Sequence, residues 1–328
     1  MNYRTLGKTG IKVSEVSLGT WQLGGGWGQK FDNAAADRIL NEAIDLGINF
    51  IDTADVYSDG ASEAAVGRVV SKRSERVYVA TKCGRLVSPH VSEGYTAQGM
   101  RGFVDQSLKN SGLEQIDLIQ LHCPPTEVYY RPEIFEEFDR LRAEGKISHL
   151  GVSVEKVEEA IKAIEYPNVT TVQIIFNMFR HRPSELFFEL VRRRDIGVIV
   201  RVPLASGLLS GKMTRGQSFA EGDHRTFNRD GKAFDKGETF SGVNFEQGLQ
   251  AVDALKEIFG DEEPLALWAI RWILMFAEVS CVIPGTSRSE QLRQNIRAAD
   301  LPAIDDNKMD AVREVYNRYI RRDVHHRW

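Results

Sequence analysis

The chain has 328 residues, of which 42% are hydrophobic and 27% are charged, and its formal net charge is −4 at pH 7. This composition is typical of a globular protein, and a slightly acidic chain with dispersed Lys and Arg disfavours nucleic acid and anionic membranes as partners. The longest apolar stretch, 268–277, contains Arg271 and is too short to span a bilayer. The first residues contain no apolar signal-peptide region, so we expect a cytoplasmic protein.

Short apolar runs rich in β-branched residues alternate along the chain with amphipathic stretches. The predicted strands are 16–18, 49–52, 77–82, 118–122, 149–153, 172–176, 198–202 and 280–284. The predicted helices, with apolar residues three and four positions apart, are 35–46, 62–71, 97–110, 134–144, 156–165, 185–194, 265–276 and 290–299. Alternating βα units predict a parallel sheet, and eight of them predict a closed (β/α)8 TIM barrel formed by one domain, residues 1–328. An open doubly wound sheet is the alternative.

Two segments interrupt this alternation. Residues 1–15 contain Lys8-Thr9-Gly10 between two short runs, which predicts an N-terminal β-hairpin that caps the lower end of the barrel. Residues 214–244, after the seventh strand, are rich in Gly, Asp and Phe and have no clear period. A loop of this length in a compact domain is usually functional, so we interpret it as a lid or clamp.

Four titratable side chains follow three successive predicted strands. Asp52 ends the second strand, Tyr57 lies in the loop behind it, Lys82 ends the third strand and His122 ends the fourth. The carboxyl ends of barrel strands meet at one mouth, so these side chains should converge there. Taken singly, each has a structural alternative: an Asp that caps a helix, a Lys at the rim, a Tyr in the packing. Taken together, they are the set that carbonyl reduction needs.

In that reaction a carbonyl carbon receives a hydride and its oxygen receives a proton. A phenol has a pKa near 10, and a neighbouring ammonium favours the phenolate, so we expect Lys82 to bring the pKa of Tyr57 toward its working range. Asp52 would keep Lys82 charged and oriented, and His122 would donate a hydrogen bond to the carbonyl oxygen. None of these residues can supply a hydride, so a nicotinamide cofactor is needed.

Three runs of sequence resemble the signature of the aldo-keto reductase family in order and spacing: 50–57 (FIDTADVY), 80–82 (ATK) and 118–122 (LIQLH). The resemblance covers nearly the whole chain, from 18–21 (LGTW) to 284–287 (PGTS). It is nearest the bacterial branch that includes sugar- and inositol-related reductases, and it extends to potassium-channel β-subunits. It implies the barrel fold and the catalytic roles given above for Asp52, Tyr57, Lys82 and His122.

The resemblance also implies a nicotinamide site without a Rossmann glycine fingerprint. Ser153 and Gln173 match the residues that hold the carboxamide, 201–212 resembles the loop that stacks on the nicotinamide and wraps the pyrophosphate, and 285–295 matches the segment around the adenosine 2′-phosphate. The implied cofactor residues are Gly19, Thr20, Trp21, Asp52, Ser153, Gln173, Arg201, Val202, Pro203, Leu204, Ala205, Ser206, Gly207, Lys212, Gly285, Thr286, Ser287, Arg288, Gln291, Gln294 and Asn295. The implied substrate pocket consists of Trp21, Tyr57, His122 and Tyr129.

The 285–295 segment favours NADP(H) over NAD(H). Ser287 can cap the following helix, whose N-terminus attracts anions, and Arg288 supplies a planar fork for phosphate. A solvated helix start with an unrelated Arg is the alternative.

Two positions depart from the family pattern. Arg201 stands where an aromatic side chain is usual, and a guanidinium plane can also stack on a ring, although a salt bridge at the barrel rim is the competing interpretation. Val154 follows Ser153 where many members have Asn, which removes one polar contact.

Metal chemistry is not predicted. Cys83, Cys123 and Cys281 lie far apart without a CxxC spacing, which favours reduced thiols. The His325-His326 pair lies in a tail without accompanying carboxylate–histidine ligands, and a solvated tail is the preferred interpretation.

The sequence therefore predicts an NADP(H)-dependent oxidoreductase that interconverts aldehydes, ketones or sugars with alcohols, with Tyr57 as proton donor. Its predicted partner is a small carbonyl or sugar substrate, and its oligomeric state is left open. The alternative is a cofactor-loaded regulatory subunit with slow turnover, against which the complete set of four residues argues. A metal-dependent barrel hydrolase would need clustered strand-end histidines or carboxylates, which the sequence lacks.

Overall fold

The computed structural model describes residues 1–25 and 30–328. A two-stranded antiparallel hairpin precedes an eight-stranded sheet. The hairpin strands are β1 (Tyr3–Thr5) and β2 (Lys12–Ser14). The sheet strands are β3 (Leu18–Gly19), β4 (Phe50–Asp52), β5 (Tyr78–Cys83), β6 (Ile116–His122), β7 (Ile147–Ser153), β8 (Val169–Ile175), β9 (Gly197–Arg201) and β10 (Val279–Val282).

The sheet strands are parallel and follow one another in chain order. Parallel bridges between Val16 and Val282, and between Gly19 and Gly285, join the first strand to the last and close the ring. This confirms the predicted (β/α)8 barrel and excludes the open sheet. Each strand matches a predicted one, with its ends displaced by at most three residues, because short apolar runs bounded by turn residues are a strong local signal.

The helices lie outside the strands. They are α1 (Asn33–Asp45), α2 (Ala61–Val70), α3 (Ala97–Ser111), α4 (Pro132–Ala143), α5 (Val157–Ala163), α6 (Phe187–Arg194), α7 (His224–Phe227), α8 (Phe245–Phe259), α9 (Leu265–Leu274), α10 (Ser289–Arg297), α11 (Asp306–Tyr319) and α12 (Arg321–Val324). All eight predicted helices are present. Helices α7, α8, α11 and α12 were not predicted, because the sequence was interpreted as one helix per strand. Helices α8 and α11 pack against each other, and the Asn244 side chain caps the start of α8.

The N-terminal hairpin covers the lower end of the barrel, as predicted. Gly7 has a φ of +49°, and a Cβ there would lie 2.2 Å from the Gly197 nitrogen at the start of β9, so only glycine allows this approach. The Arg4 guanidinium donates to the carbonyl oxygens of Leu274, Phe276 and Val279 at 2.6, 3.1 and 2.9 Å. These contacts join the hairpin to the last βα unit.

The long segment after β9 crosses the opposite end of the barrel. Between 214 and 244 it contains only α7 and short 3-10 turns at Lys236–Glu238 and Phe240–Gly242. The Ser206 hydroxyl accepts a hydrogen bond from the Phe240 nitrogen and donates one to the Glu238 carbonyl oxygen. The Trp328 indole donates to Asp235 at 2.8 Å. The predicted loop is therefore present, and it is anchored to both the barrel and the C-terminal tail.

Most core side chains lie between the strands and the surrounding helices. A smaller apolar cluster fills the lower end of the barrel interior; it includes Leu6, Phe50, Leu118 and Ile199. The polar side chains described next lie above this cluster at the upper ends of the strands. Among residues 1–25 and 30–328, no helix is long and apolar enough to cross a membrane.

Candidate active site

Asp52, Lys82 and Tyr57 form a connected group at the upper end of β4 and β5. Lys82, at 1% exposure, donates to the Asp52 carboxylate, to the Thr53 carbonyl oxygen at 2.8 Å and to the Tyr57 hydroxyl oxygen at 3.3 Å. Because Lys82 donates all three bonds, the ammonium has a fixed position and the phenol proton is not used in holding it. The predicted convergence of these residues is present.

The second carboxylate oxygen of Asp52 accepts two amide hydrogen bonds. Gln120 Nε2 lies 2.9 Å from it and Gln173 Nε2 lies 2.8 Å from it, and both amides are buried. Gln120 was not predicted as a site residue; its position in the middle of the matched LIQLH run was the available signal. The carboxylate is thus oriented from both sides by strands β6 and β8.

The pKa of Tyr57 beside Lys82 differs from the sequence-based expectation. Burial raises the pKa of Tyr57, and although the nearby charge of Lys82 opposes this, the net pKa lies above the ordinary value. The expectation that Lys82 brings this pKa down is therefore wrong in its net direction, because the desolvation of the phenolate outweighs the ammonium. Burial would lower the pKa of Lys82, but the charge of Asp52 holds it above the ordinary value, so the ammonium form persists.

His122 lies beside Tyr57, with ring centroids 6.2 Å apart and the planes nearly perpendicular. The imidazole is 9% exposed, and its Nδ1 has no hydrogen-bond partner among the described residues. Burial, and then the positive charges of Lys82, Arg85 and Arg201, lowers the pKa of His122 well below its usual range. The ring is therefore neutral near pH 7 and carries one N–H donor.

The predicted carboxamide residues are also brought together. Ser153 ends β7 and Gln173 lies on β8, and the Ser153 hydroxyl is 3.5 Å from Gln173 Oε1. Both are buried. The Gln173 amide nitrogen donates hydrogen bonds to Asp52 and to Gln120 Oε1. Gln173 therefore connects the predicted cofactor side of the mouth to the Asp52–Lys82 pair.

The β3 end supplies the opposite wall. The Thr20 hydroxyl donates to the Asp52 carbonyl oxygen at 3.1 Å and accepts from the Ser62 hydroxyl at 2.8 Å. Trp21 is partly exposed, and its ring lies 4.7 Å from that of His224 on α7. Gly19 lies directly beneath, where a Cβ would be 2.8 Å from the Ile283 carbonyl oxygen.

The 202–212 run turns sharply after β9. Val202, Ala205, Ser206 and Gly207 have positive φ values of 53°, 47°, 56° and 92°. A positive φ is unusual for a β-branched residue, and such outliers concentrate at ligand-binding segments. Pro203 is buried, Leu204 is partly exposed and Lys212 is exposed.

The N-cap of α10, the helix that follows the last loop, differs from the sequence-based prediction. Helix α10 has Arg288 rather than Ser287 at the N-cap position, and within the described part of the chain no side chain caps it. Instead, the Thr286 hydroxyl accepts a hydrogen bond from the Arg288 nitrogen at 3.2 Å. Ser287 and Arg288 are both exposed, Gly285 precedes them, and Gln291, Gln294 and Asn295 lie on the first turns of α10.

Arg201 forms the salt bridge that was the competing interpretation. Its Nη2 lies 3.0 Å from Glu155 Oε2 and 3.0 Å from the Val154 carbonyl oxygen, and its Nη1 lies 3.8 Å from Glu238 Oε2. The Glu155 carboxylate thus neutralises a buried guanidinium at the end of β9.

Three residues that surround Arg201 were not predicted from the sequence: Arg85, Glu155 and Glu238. Arg85 and Glu155 follow the ends of β5 and β7, where functional side chains of barrels lie, so their strand-end positions were a usable signal. Nothing local marked Glu238, because its proximity depends on how the long loop folds back.

Cys123, Glu155 and Glu238 offer donor atoms within 4.8 Å of one another, a separation suited to a metal ion. The two guanidinium groups of Arg85 and Arg201 already pair with these carboxylates. A cation would have to displace those charges, so we interpret the cluster as an ion-pair network.

Tyr129, expected in the substrate pocket, is 0% exposed. Its hydroxyl lies 3.5 Å from the Ser153 carbonyl oxygen, and its ring belongs to the main hydrophobic core. The structure therefore places this side chain behind the mouth rather than on its open surface.

A parallel eight-stranded barrel with this strand-end group defines the class of protein, and comparison with known proteins agrees. The aldo/keto reductase family model matches residues 15–317, and the chain belongs to that family. An uncharacterized oxidoreductase of Bacillus subtilis, YqkF, is 30% identical over 95% of both chains. An NADH-specific methylglyoxal reductase of Escherichia coli is 28% identical over 90% of this chain and 93% of its own. The holo form of the aldo-keto reductase AKR11C1 from Bacillus halodurans superposes with a TM-score of 0.77 at 25% identity, covering 96% of both chains.

Proposed function

We propose that this oxidoreductase uses NADP(H) to interconvert aldehydes, ketones or open-chain sugars with alcohols, with Tyr57 as the proton donor. The observation that carries the proposal is the hydrogen bond from the buried Asp52–Lys82 pair to the partly exposed Tyr57, with the neutral His122 beside it. The family membership and the methylglyoxal reductase relative support carbonyl reduction.

The hydrogen-bond directions support a role for each residue. The Tyr57 oxygen accepts from Lys82, so its own proton is free to pass to the carbonyl oxygen of a substrate in the mouth. The raised pKa of Tyr57 keeps that proton in place at neutral pH. When it leaves, the phenolate faces the Lys82 ammonium at 3.3 Å, which stabilises the new charge. His122 donates its single N–H to the same carbonyl oxygen and orients it.

The residues present fit a nicotinamide cofactor. Val202–Gly207 form a partly exposed turn with several left-handed residues. The start of α10 has no side-chain cap among the described residues, so its N-terminus can attract an anion, and Arg288 is exposed there. When bound, the reduced cofactor supplies the hydride that becomes the new C–H bond, while Tyr57 supplies the proton of the new O–H bond. Val202 to Lys212 would hold the pyrophosphate and Arg288 the 2′-phosphate.

Tyr57→Phe tests the proposal. The change removes the proton donor but keeps the ring, so carbonyl reduction should fall about 10²–10⁴-fold, the usual contribution of general acid catalysis. NADPH binding, measured by quenching of protein fluorescence, should stay within about twofold. Tyr130→Phe is the matched control, because Tyr130 is 64% exposed on the rim, and it should retain full turnover.

Two outcomes would contradict the proposal. Turnover by Tyr57→Phe above about a tenth of the wild-type rate would remove Tyr57 from the proton-donor role. A wild-type chain that binds NADPH but reduces none of a panel of aldehydes, ketones and sugars would favour the regulatory-subunit alternative.

A further inference from the structure

Around Cys123, the residue that follows His122, two guanidinium groups and two carboxyl groups meet in one cluster. Arg85 comes from the loop after β5, Glu155 from the loop after β7, Arg201 from the end of β9 and Glu238 from the long loop. Four separate segments of the chain thus contribute to one face of the mouth.

The pairing within this cluster is unequal. Arg201 lies 3.0 Å from Glu155 and 3.8 Å from Glu238. Among the described carboxylates, Arg85 forms a salt bridge with Glu238 alone, at 3.5 Å. Glu238 therefore pairs with both guanidinium groups, but at longer distances than the one between Glu155 and Arg201. Its Oε1 has no hydrogen-bond partner among the described residues.

The two carboxyl groups, Glu155 and Glu238, also differ in their pKa values. Burial would raise the pKa of Glu155, but the charge of Arg201 holds it below the ordinary value, so Glu155 is ionised. Burial and the negative charge of Glu155 together raise the pKa of Glu238, so this carboxyl retains a proton over part of the neutral range. The carboxylate that pairs with Arg85 is thus the one with the raised pKa, so the Arg85 guanidinium is less fully neutralised than that of Arg201.

The position of Arg85 allows its charge to act on a substrate. It follows Lys82 by three residues, and its side chain keeps 21% of its surface exposed. Its charge, with those of Lys82 and Arg201, is among the causes of the lowered pKa of His122. An anionic group placed beside His122 would therefore be attracted by Arg85.

Resting on the proposed function, we propose that the substrate is an anionic carbonyl compound, whose carboxylate or phosphate group is bound by Arg85 in place of Glu238. The planar fork of a guanidinium matches both oxyanions and binds either through two parallel hydrogen bonds. Glu238, held at 3.5 Å, is the weaker partner and yields its position when the substrate enters.

Pairs of carbonyl compounds that differ in one anionic group test this inference on the full chain with NADPH. The carboxylate pair is succinic semialdehyde and butanal, and the phosphate pair is glycolaldehyde phosphate and glycolaldehyde. A charge-assisted contact is worth about tenfold or more in kcat/KM, so the anionic member of at least one pair should exceed its neutral partner by that factor. The pair that shows the preference identifies the oxyanion.

Variants then assign the preference to Arg85. Arg85→Gln should bring the ratio of the two kcat/KM values close to one, and Arg85→Lys should retain part of it, because an ammonium keeps the charge without the fork. Arg76→Gln is the matched control, since Arg76 precedes the opposite end of the same strand, β5, and should keep the wild-type ratio.

The possible failures are distinguishable. If the wild-type chain reduces the neutral member of both pairs as well as the anionic one, the anionic-substrate inference is overturned while carbonyl reduction stands. If the preference exists but survives Arg85→Gln, the assignment to Arg85 is overturned. If no compound is reduced, the proposed function itself fails.

Discussion

The Arg201 guanidinium uses its edge to form a salt bridge with Glu155 and a hydrogen bond to the Val154 carbonyl oxygen. Stacking on a nicotinamide would use the flat face of the same guanidinium, and only the planar group offers that face. Arg201→Lys should therefore weaken both NADPH and NADP⁺ binding although the charge is kept. The measurement is the pair of dissociation constants, obtained by fluorescence titration.

The companion variant is Arg201→Trp, which restores the aromatic side chain usual in the family. Made alone, it would leave Glu155 buried without its partner, which costs several kcal/mol. It is best combined with Glu155→Gln, and the double variant should largely preserve cofactor binding. Tight binding by Arg201→Lys with weak binding by the double variant would show that charge alone matters.

Arg288 is exposed at the start of α10, where the 2′-phosphate of NADP(H) would lie. Arg288→Ala should reduce the preference for NADPH over NADH by about tenfold or more, the value of a charge-assisted hydrogen bond. The control is Arg297→Ala on the same helix, because Arg297 lies outside 285–295 and is paired with Glu263 at 2.7 Å. Equal losses for the two cofactors would assign Arg288 another role.

At the scale of elements, helices α2 and α3 meet at a glycine. A Cβ on Gly67 would lie 1.8 Å from the Ser111 carbonyl oxygen at the end of α3, so the two helices approach through backbone alone. Gly67→Ala should therefore lower the free energy of unfolding by about 1–3 kcal/mol or more, the usual cost of overpacking.

Gly102→Ala is the matched control for that change. Gly102 lies inside α3, and a Cβ there has no neighbour within 4 Å. The same substitution should here raise stability by about 0.5–1 kcal/mol, because alanine loses less backbone entropy in a helix. Thermal unfolding of both variants should give melting temperatures that move in opposite directions. A stable Gly67→Ala would show that α2 can shift away from α3.

At the scale of the whole molecule, one buried carboxyl should make stability depend on pH. Burial, reinforced by the negative charge of Glu63, raises the pKa of Asp55 from 3.8 to about 7, and neither of its oxygens has a partner among the described residues. Between these two pH values the folded chain keeps a proton that the unfolded chain has lost. Asp55 therefore lowers stability increasingly as pH rises from 4 toward 7.

Asp55→Asn removes this contribution. The variant should be more stable than the wild type at pH 8, and the gain should be about 2 kcal/mol smaller at pH 5. Melting temperatures of both chains at the two pH values measure the difference. Asp59→Asn, at an exposed neighbouring position, is the control and should show the same change at both. A gain from Asp55→Asn that does not vary with pH would exclude the raised pKa.

Much of the molecule follows from local patterns in the sequence. The eight strands, the alternating helices and the hairpin were predictable, because hydrophobic periodicity and turn residues act within a few positions of the chain. The convergence of Asp52, Lys82 and His122 was also predictable, because the ends of successive parallel strands must meet at one mouth.

Only the tertiary structure decided the features that depend on distant segments. The proximity of Glu238 to Arg85 and Arg201 requires the long loop to return over the barrel, and no local pattern specifies that path. The raised pKa of Tyr57 likewise could not be obtained from residue types, since its direction depends on how much water the fold removes from the phenol. Sequence determined which groups share the mouth; burial and loop placement determined their charges and partners.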